Sequence, residues 1–342
     1  MRNNGRVVLV AGLVAVLLGV TACGSSSSSA GGAKATLTLY NAQHEDLMKL
    51  MVDDFTKTTG IKVNMRSGED FQLGNQLVQE GAASPADVFV TENSPAMTLV
   101  DSKGLFAKVE DATLAQVPAQ FAPTDKDWVG FAGRSTVFAY NPAQLKAPDL
   151  PASIMDLAQP QWKGQVGISP AGADFQAIVS AVLTLKGESA TLAWLKGLKE
   201  NAKVYNENSA VMKAVNDGEI NSGVIYHYYW YKDRAESGAN SNNVELHFFG
   251  NQDAGAFLSI SGAGVIKSSK HPAEAQQLVK YLNSAAGQKV LSDSLALEYP
   301  IGNGAGANQV LKPLTELNPP LVDVATLNGP KVVELMKQAG FL

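Results

Sequence analysis

A histidine, a carboxylate and two phenols each lie within a few residues of the end of a segment patterned like a β-strand. They are His44, Glu92, Tyr228 and Tyr229. Oxygen and nitrogen donors of these types suit a metal ion that prefers hard ligands. Adjacent tyrosines are by themselves more often core or surface aromatics than metal ligands. A metal site therefore requires a fold that collects these side chains at one place.

The elements that carry these side chains alternate between strand and helix patterns, which predicts an α/β fold with parallel strands. Predicted strands cover residues 36–40, 61–65, 86–90, 165–169, 222–226 and 245–249. Predicted helices cover residues 46–58, 72–81, 177–186, 190–200, 210–217, 233–238, 272–284, 286–294 and 330–339. Ligands of open α/β sheets bind outside the carboxyl ends of the strands. The donors are therefore expected along one binding edge.

The N-terminal segment has the features of an export signal. Arg2 and Arg6 precede an apolar run over residues 7–20. This run is shorter than the roughly 18 apolar residues of a transmembrane helix, and it fits a signal peptide. It ends at a small-residue stretch before Cys23, which resembles the lipobox of bacterial lipoproteins. We expect a signal peptide over residues 1–22, a lipid on Cys23 and a flexible Gly/Ser tether through residue 34.

Composition excludes several function classes. Cys23 is the only cysteine, so a mature body with lipid on Cys23 has no disulfide, zinc–thiolate site or thiol nucleophile. A net charge of −5 makes the chain a poor ligand for nucleic acid. The sequence contains no Gly-x-Ser-x-Gly or His-Glu-x-x-His motif, and its four histidines offer few ligands for an enzymatic metal centre. These absences argue against an exported enzyme such as a metal-dependent hydrolase.

Several segments resemble the ferric-ion-binding proteins of bacterial iron importers. The similarity runs from about Thr36 to the C-terminus, and it is carried by residues 40–44, 86–92, 194–200, 228–230, 252–256 and 298–300. The resemblance implies an α/β, two-lobe periplasmic-binding-protein fold with crossing hinge strands and a ligand cleft between the lobes. It implies a first lobe of residues 35–134 and about 259–308, and a second lobe of about 135–258 and 309–342.

The resemblance also implies roles for single residues. His44, Glu92, Tyr228 and Tyr229 match the family's metal ligands. The residues that match its anion site are Ala171, Gly172, Ala173, Asn208 and Asn93. The family's Ser-Gly-Ala loop has lost its hydroxyl at Ala171, and Asn93 replaces a glutamine. These departures affect the anion, phosphate or carbonate, more than the metal. Contacts of Arg134, Asp174, Tyr226 and His227 with the ligand stay open.

The function implied is that of a lipid-anchored, extracytoplasmic solute-binding protein. It would bind ferric iron with a synergistic anion and deliver it to an ABC permease. The protein is expected to be a monomer that meets the membrane only through its anchor. An alternative is the same fold with an organic cation, similar to thiamine or a polyamine, or with a phosphonate. Tyr226, Tyr228, Tyr229 and Trp230 could enclose such a cation.

Lipid anchoring leads to the first prediction. Cys23→Ala removes the only thiol that can carry lipid, so the mutant protein should leave the membrane fraction and become soluble. Fractionation of cells that express wild type, Cys23→Ala and the tether control Ser29→Ala measures this. A Cys23→Ala protein that stays with the membrane would identify the uncleaved run over residues 7–20 as the anchor and refute the lipid.

Overall fold

A computed structural model describes residues 35–342. The predicted signal peptide, Cys23 and the tether lie outside the described residues. Within residues 35–342, no helix is both long enough and apolar enough to cross a membrane.

The described part of the chain alternates between strands and helices. The strands are β1 Thr36–Ala42, β2 Lys62–Ser67, β3 Val88–Thr91, β4 Val129–Tyr140, β5 Val166–Ile168, β6 Ala202–Val204, β7 Ser222–Tyr226, β8 Glu245–His247, β9 Leu258–Val265 and β10 Tyr299–Pro300. The α-helices are α1 Glu45–Thr59, α2 Asp70–Glu80, α3 Ser94–Asp101, α4 Asp111–Leu114, α5 Ala173–Lys186, α6 Glu188–Asn201, α7 Asn208–Asn216, α8 His227–Glu236, α9 Pro272–Asn283, α10 Ala285–Asp293, α11 Leu314–Leu317 and α12 Gly329–Gln338.

The strands form one mixed sheet in the order β2-β1-β3-β9-β4-β7-β5-β6, with β8 and β10 also paired to β4. At one end β1 is parallel to β2 and β3. At the other end β5 is parallel to β6 and β7. The two central strands, β9 and β4, run antiparallel to each other and to their outer neighbours. Each parallel group is therefore the βα half that the sequence predicts, and β4 and β9 join the two.

Strand β4 passes from one half of the sheet to the other. Its first part, Val129 to Ser135, pairs with β9, and its second part, Thr136 to Tyr140, pairs with β7. All of β4 and β9 is buried. Strand β4 lacks the polar–apolar alternation of a half-buried strand, whereas β9 alternates in its first half, with Ser259 and Ser261 buried instead of exposed. The pattern of alternation did not locate these strands, whereas the resemblance required them as the crossing strands.

Separate apolar clusters fill the two halves. Leu39 and Phe55 belong to a cluster under β1 and β3, and Phe138 and Trp194 belong to another under β5 and β7. The last residues divide between the halves. Leu317 packs in a cluster with Tyr40 and Phe89, whereas Met336 of α12 packs with Phe138. The assignment of residues to two lobes stays a proposal, and residues 309–342 contribute to both apolar regions.

Helix α1 fixes the position of His44, which occupies the N-cap position before Glu45. An apolar stripe that includes Leu47, Met51 and Phe55 buries one face of the helix. Gly60 ends the helix with a left-handed φ of 74°, a conformation that glycine adopts without steric cost.

Helix α8 differs most from expectation, because it begins at His227, directly after β7, and not at residue 233. Its first residues are aromatic, and aromatic side chains favour strands when propensity alone decides. Burial of His227 and Tyr228 under the sheet edge overrides that preference. Both candidate tyrosines therefore lie on the first turn of a helix.

Candidate metal centre

The four predicted metal ligands lie at the carboxyl ends of three strands. His44 follows β1, Glu92 comes directly after β3, and Tyr228 and Tyr229 open α8 after β7. The strands β1 and β3 belong to one half of the sheet and β7 to the other. The site is therefore shared between the two halves.

Their side chains converge. The Glu92 Oε1 atom is 3.6 Å from His44 Nε2 and accepts a hydrogen bond of 3.2 Å from the Tyr228 hydroxyl. The ring of Tyr228 lies edge-on to His44 at 5.1 Å and stacks on Tyr229 at 4.2 Å. Two phenols, one carboxylate and one imidazole thus face a common point, and this donor set suits a hard, highly charged cation.

Asp174 lies beside the candidate metal ligands, and it contacts two of the predicted anion-binding residues. Its carboxylate accepts hydrogen bonds from Asn93 at 3.2 Å and from Asn208 at 2.8 Å. It also accepts a hydrogen bond of 3.2 Å from the Tyr229 hydroxyl. The loop of Ala171, Gly172 and Ala173 leads directly into the helix that begins with Ala173 and Asp174. The Asp174 carboxylate therefore accepts hydrogen bonds from side-chain amides that the resemblance assigns to an external anion.

Burial keeps the phenols protonated in the absence of a cation. Desolvation raises the pKa of Tyr228 and of Tyr229, and the negative charges of Asp174 and Glu92 raise both further. The pKa of His44 is subject to opposing effects. Burial lowers it, but the hydrogen bond to Glu298 and the charge of Glu92 prevail and raise it to about 9. A cation at this site must therefore displace protons from all three rings.

Arg134 and Glu298 form a buried ion pair beside the site, with 3.1 Å between Arg134 Nη1 and Glu298 Oε2. The Arg134 Nε atom also lies 3.6 Å from Glu92 Oε1. Glu298 was not among the predicted site residues, although residues 298–300 carry part of the resemblance. A sequence signal existed for Arg134, because a charge inside the apolar run of β4 needs a buried partner.

Tyr226 and His227, whose contacts the sequence left open, differ in role. The Tyr226 hydroxyl lies 3.4 Å from Asn93 Oδ1, and its ring lies 5.7 Å from the Arg134 guanidinium, so Tyr226 borders the site. His227 accepts a hydrogen bond of 3.2 Å from the backbone amide of Ser135 and stacks on Tyr299 at 4.7 Å. Burial lowers the pKa of His227 to about 3. His227 therefore packs neutral against β4 and Tyr299.

Residues 83–322 match the family described as bacterial extracellular solute-binding proteins, and the chain belongs to this family. It is 58% identical over 315 residues to the Fe(3+)-binding periplasmic protein of Serratia marcescens, with 92% of this chain and 93% of that protein covered. It is 37% identical to the major ferric iron-binding protein of Neisseria meningitidis, with 92% and 95% covered.

Among solved structures, iron-bound HitA from Pseudomonas aeruginosa superposes with a TM-score of 0.84 at 45% identity, covering 90% of this chain and 99% of that one. These similarities confirm the two-lobe periplasmic-binding-protein fold. They also confirm the expectation of an extracytoplasmic binding protein that is not an enzyme.

The burial of Asp174 leads to a prediction about the metal-free protein. Desolvation, with Glu92 adding to it, raises the pKa of Asp174 to about 7. Above about pH 4 the unfolded chain has lost a proton that the folded state still holds, so this carboxyl makes unfolding easier as the pH rises to about 7. Asp174→Asn should remove that loss. The variant should gain stability relative to wild type across this window, by about 2–4 kcal/mol.

Urea unfolding of both metal-free proteins at a series of pH values measures the difference. At the acid end both side chains are neutral and similar in shape, so the difference there serves as the internal control. A difference that does not change with pH would show that Asp174 is ionised throughout and would contradict the prediction.

Proposed function

We propose that this protein captures ferric iron outside the cytoplasm for import, with His44, Glu92, Tyr228 and Tyr229 as its ligands. The observation that carries the proposal is the convergence of two phenols, a carboxylate and an imidazole at one partly buried point. The iron-binding names of the relatives from Serratia marcescens and Neisseria meningitidis support it.

Charge favours a trivalent ion in this site. Two tyrosinates and Glu92 supply three negative charges, which balance one ferric ion, and His44 adds a neutral donor. Desolvation makes an unpaired phenolate costly here, so the protons leave only when a cation replaces them. Phenolate binds hard cations well, and a divalent ion would leave negative charge uncompensated in a buried place.

The anion belongs to the proposal in a modified form. The helix starts at Ala173 and Asn208 offer backbone amides of the kind that bind phosphate or carbonate. Asp174, however, already accepts the side-chain amides of Asn93 and Asn208 and the hydroxyl of Tyr229. We infer that the Asp174 carboxylate takes the place of the external anion in most of its contacts, so that ferric iron binds with little dependence on added anion.

The remaining parts of the proposed function concern the cell. Residues 1–22 direct export, Cys23 carries the lipid, and the tether through residue 34 lets a monomeric binding domain reach its ABC permease. A signal-like run that ends at a single cysteine supports the anchor.

The organic-cation alternative gains no support from geometry. Tyr228 and Tyr229 stack on each other at 4.2 Å, which leaves no gap between their rings for a cation.

The ligand roles predict a graded loss of colour and affinity. Tyr228→Phe or Tyr229→Phe should abolish the visible tyrosinate–iron charge-transfer band and most ferric affinity, because water replaces phenolate poorly. His44→Ala should keep the colour and weaken binding by roughly tenfold, or about 1.4 kcal/mol. Acidification of wild type should release iron as protons compete for the phenolates. Absorbance titration with ferric citrate measures all three effects.

Tyr281→Phe is the matched control, because this hydroxyl also donates to a carboxylate, Asp54 at 2.7 Å, but lies on α9 away from the site. It should keep both colour and affinity. Ferric binding of wild-type strength by the double variant of Tyr228 and Tyr229 would refute the iron site. Calorimetry with thiamine and polyamines would then test the organic cation.

The inferred role of Asp174 predicts how far binding depends on the anion. Wild type should bind ferric iron from a weak chelator nearly as well without added phosphate or carbonate as with them. Asp174→Asn should need the anion, because an amide oxygen is a poorer partner for a hard cation than a carboxylate. Competition titrations in anion-free buffer and in phosphate measure this. A wild type that needs phosphate would restore the external anion as an essential ligand.

A further inference from the structure

Glu298 is a fully buried carboxylate that no metal donor role requires. Its Oε1 atom is 3.0 Å from His44 Nδ1. Its Oε2 atom accepts hydrogen bonds from Gln43 Nε2 at 3.2 Å and from Arg134 Nη1 at 3.1 Å. Both oxygens therefore have partners, and one of those partners is the ring of a proposed metal ligand.

The contact with Glu298 determines which edge of the His44 ring faces the site. Glu298 accepts only a proton-bearing nitrogen, so it holds the Nδ1–H edge. The opposite atom, Nε2, then points toward Glu92, at 3.6 Å from its Oε1. An imidazole that rotated freely on its Cβ–Cγ bond could present either nitrogen, or neither, to a cation.

Arg134 and the segment before His44 hold Glu298 in turn. The Arg134 guanidinium is fully buried on β4, and it and the Gln43 side chain each donate a 2.6 Å hydrogen bond to the Ser261 hydroxyl on β9. The charge of Arg134 offsets burial and keeps the pKa of Glu298 below its usual range. Gln43 Oε1 also accepts the backbone amide of His44 at 2.7 Å. Ring and backbone of His44 are thus tied to both crossing strands.

We propose that Glu298, held by Arg134 and Gln43, is the positioning residue that orients His44 so that its Nε2 atom is the metal donor. The inference rests on the proposed ferric site. A carboxylate that accepts the second nitrogen of a histidine ligand fixes its tautomer and orientation, and loss of such a partner costs about 10- to 100-fold in metal affinity. Glu298 itself does not face the metal point, because its three partners surround it.

Two substitutions separate the reach of Glu298 from its charge. Glu298→Asp keeps a carboxylate beside Arg134 but is one methylene too short to reach His44 Nδ1. Glu298→Gln keeps the reach and loses the charge. Glu80→Gln is the matched control, because Glu80 accepts hydrogen bonds from Tyr40 and Ser84 away from the site. Thermal unfolding of each metal-free variant establishes that it is folded before binding is measured.

The first measurement needs no metal. In the ¹⁵N-histidine spectrum of the metal-free protein, the Nδ1 proton of His44 should be protected from exchange by its bond to Glu298. With four histidines in the chain, His44→Ala assigns the signal. Protection should vanish in Glu298→Asp and persist in Glu80→Gln. An Nδ1 proton equally protected in Glu298→Asp would overturn the proposal, whether or not the protein binds iron.

The second measurement is ferric affinity by competition with citrate. Both Glu298 variants should bind more weakly than wild type, by up to about tenfold, which is the loss expected for His44→Ala itself, and Glu80→Gln should match wild type. In a His44→Ala background the Glu298→Asp loss should disappear, because the partner it orients is gone. An undiminished loss there would make Glu298 merely structural and overturn the inference. If wild type binds no ferric iron, the proposed function fails, while the spectral test of orientation still stands.

Discussion

The structure depends on how it accommodates three carboxylates, two buried and one partly buried, around one guanidinium. Glu92, Asp174 and Glu298 all lie near a single buried guanidinium, that of Arg134. Charges removed from water are costly unless they are paired, so this group of residues restricts what the site can do when empty. The pKa of Asp174 rises, the tyrosines keep their protons, and His44 gains one. A highly charged cation bound by the proposed ligands would offset these costs together, which is the physical basis of the preference that we propose.

The crossing strands make that arrangement possible. Arg134 lies on β4, two residues before Thr136, where the strand stops pairing with β9 and begins to pair with β7. Its neighbours in the ion-pair network come from the half that holds β1, β3 and β10, while Tyr226 comes from the half that holds β7. Both halves of the sheet therefore place side chains around Arg134. The proposed metal donors are divided likewise, with His44 and Glu92 from one half and Tyr228 and Tyr229 from the other. Relative movement of the halves must change the distance between His44 and Tyr228.

Strand order and chain position allowed the sequence to place His44, Glu92, Tyr228 and Tyr229 at one edge, because side chains after parallel strands share an edge. Their roles as metal ligands came from the resemblance and stay a proposal. The contact of Asp174 with the ligand was left open and Glu298 was not named as a site residue, because the importance of both comes from partners distant in sequence, such as Asn93 and Arg134. The start of α8 was misjudged because the aromatic run favours a strand locally and is helical only through burial. Continuous burial hid β4, β9 was not predicted although its first half alternates, and the resemblance alone required crossing strands.

The junction of β7 and α8 has a consequence for how the chain tolerates change. Tyr226 ends the strand, and Tyr228 and Tyr229 stack on the first turn of the helix that follows without a loop. The two phenols are therefore held as one pair of proposed ligands, and the strand sets the direction in which both side chains point. Each residue of an α-helix turns by about 100°. One residue inserted between Tyr226 and Tyr228 would swing both oxygens away from Glu92 at once, so this junction leaves the chain no freedom of length.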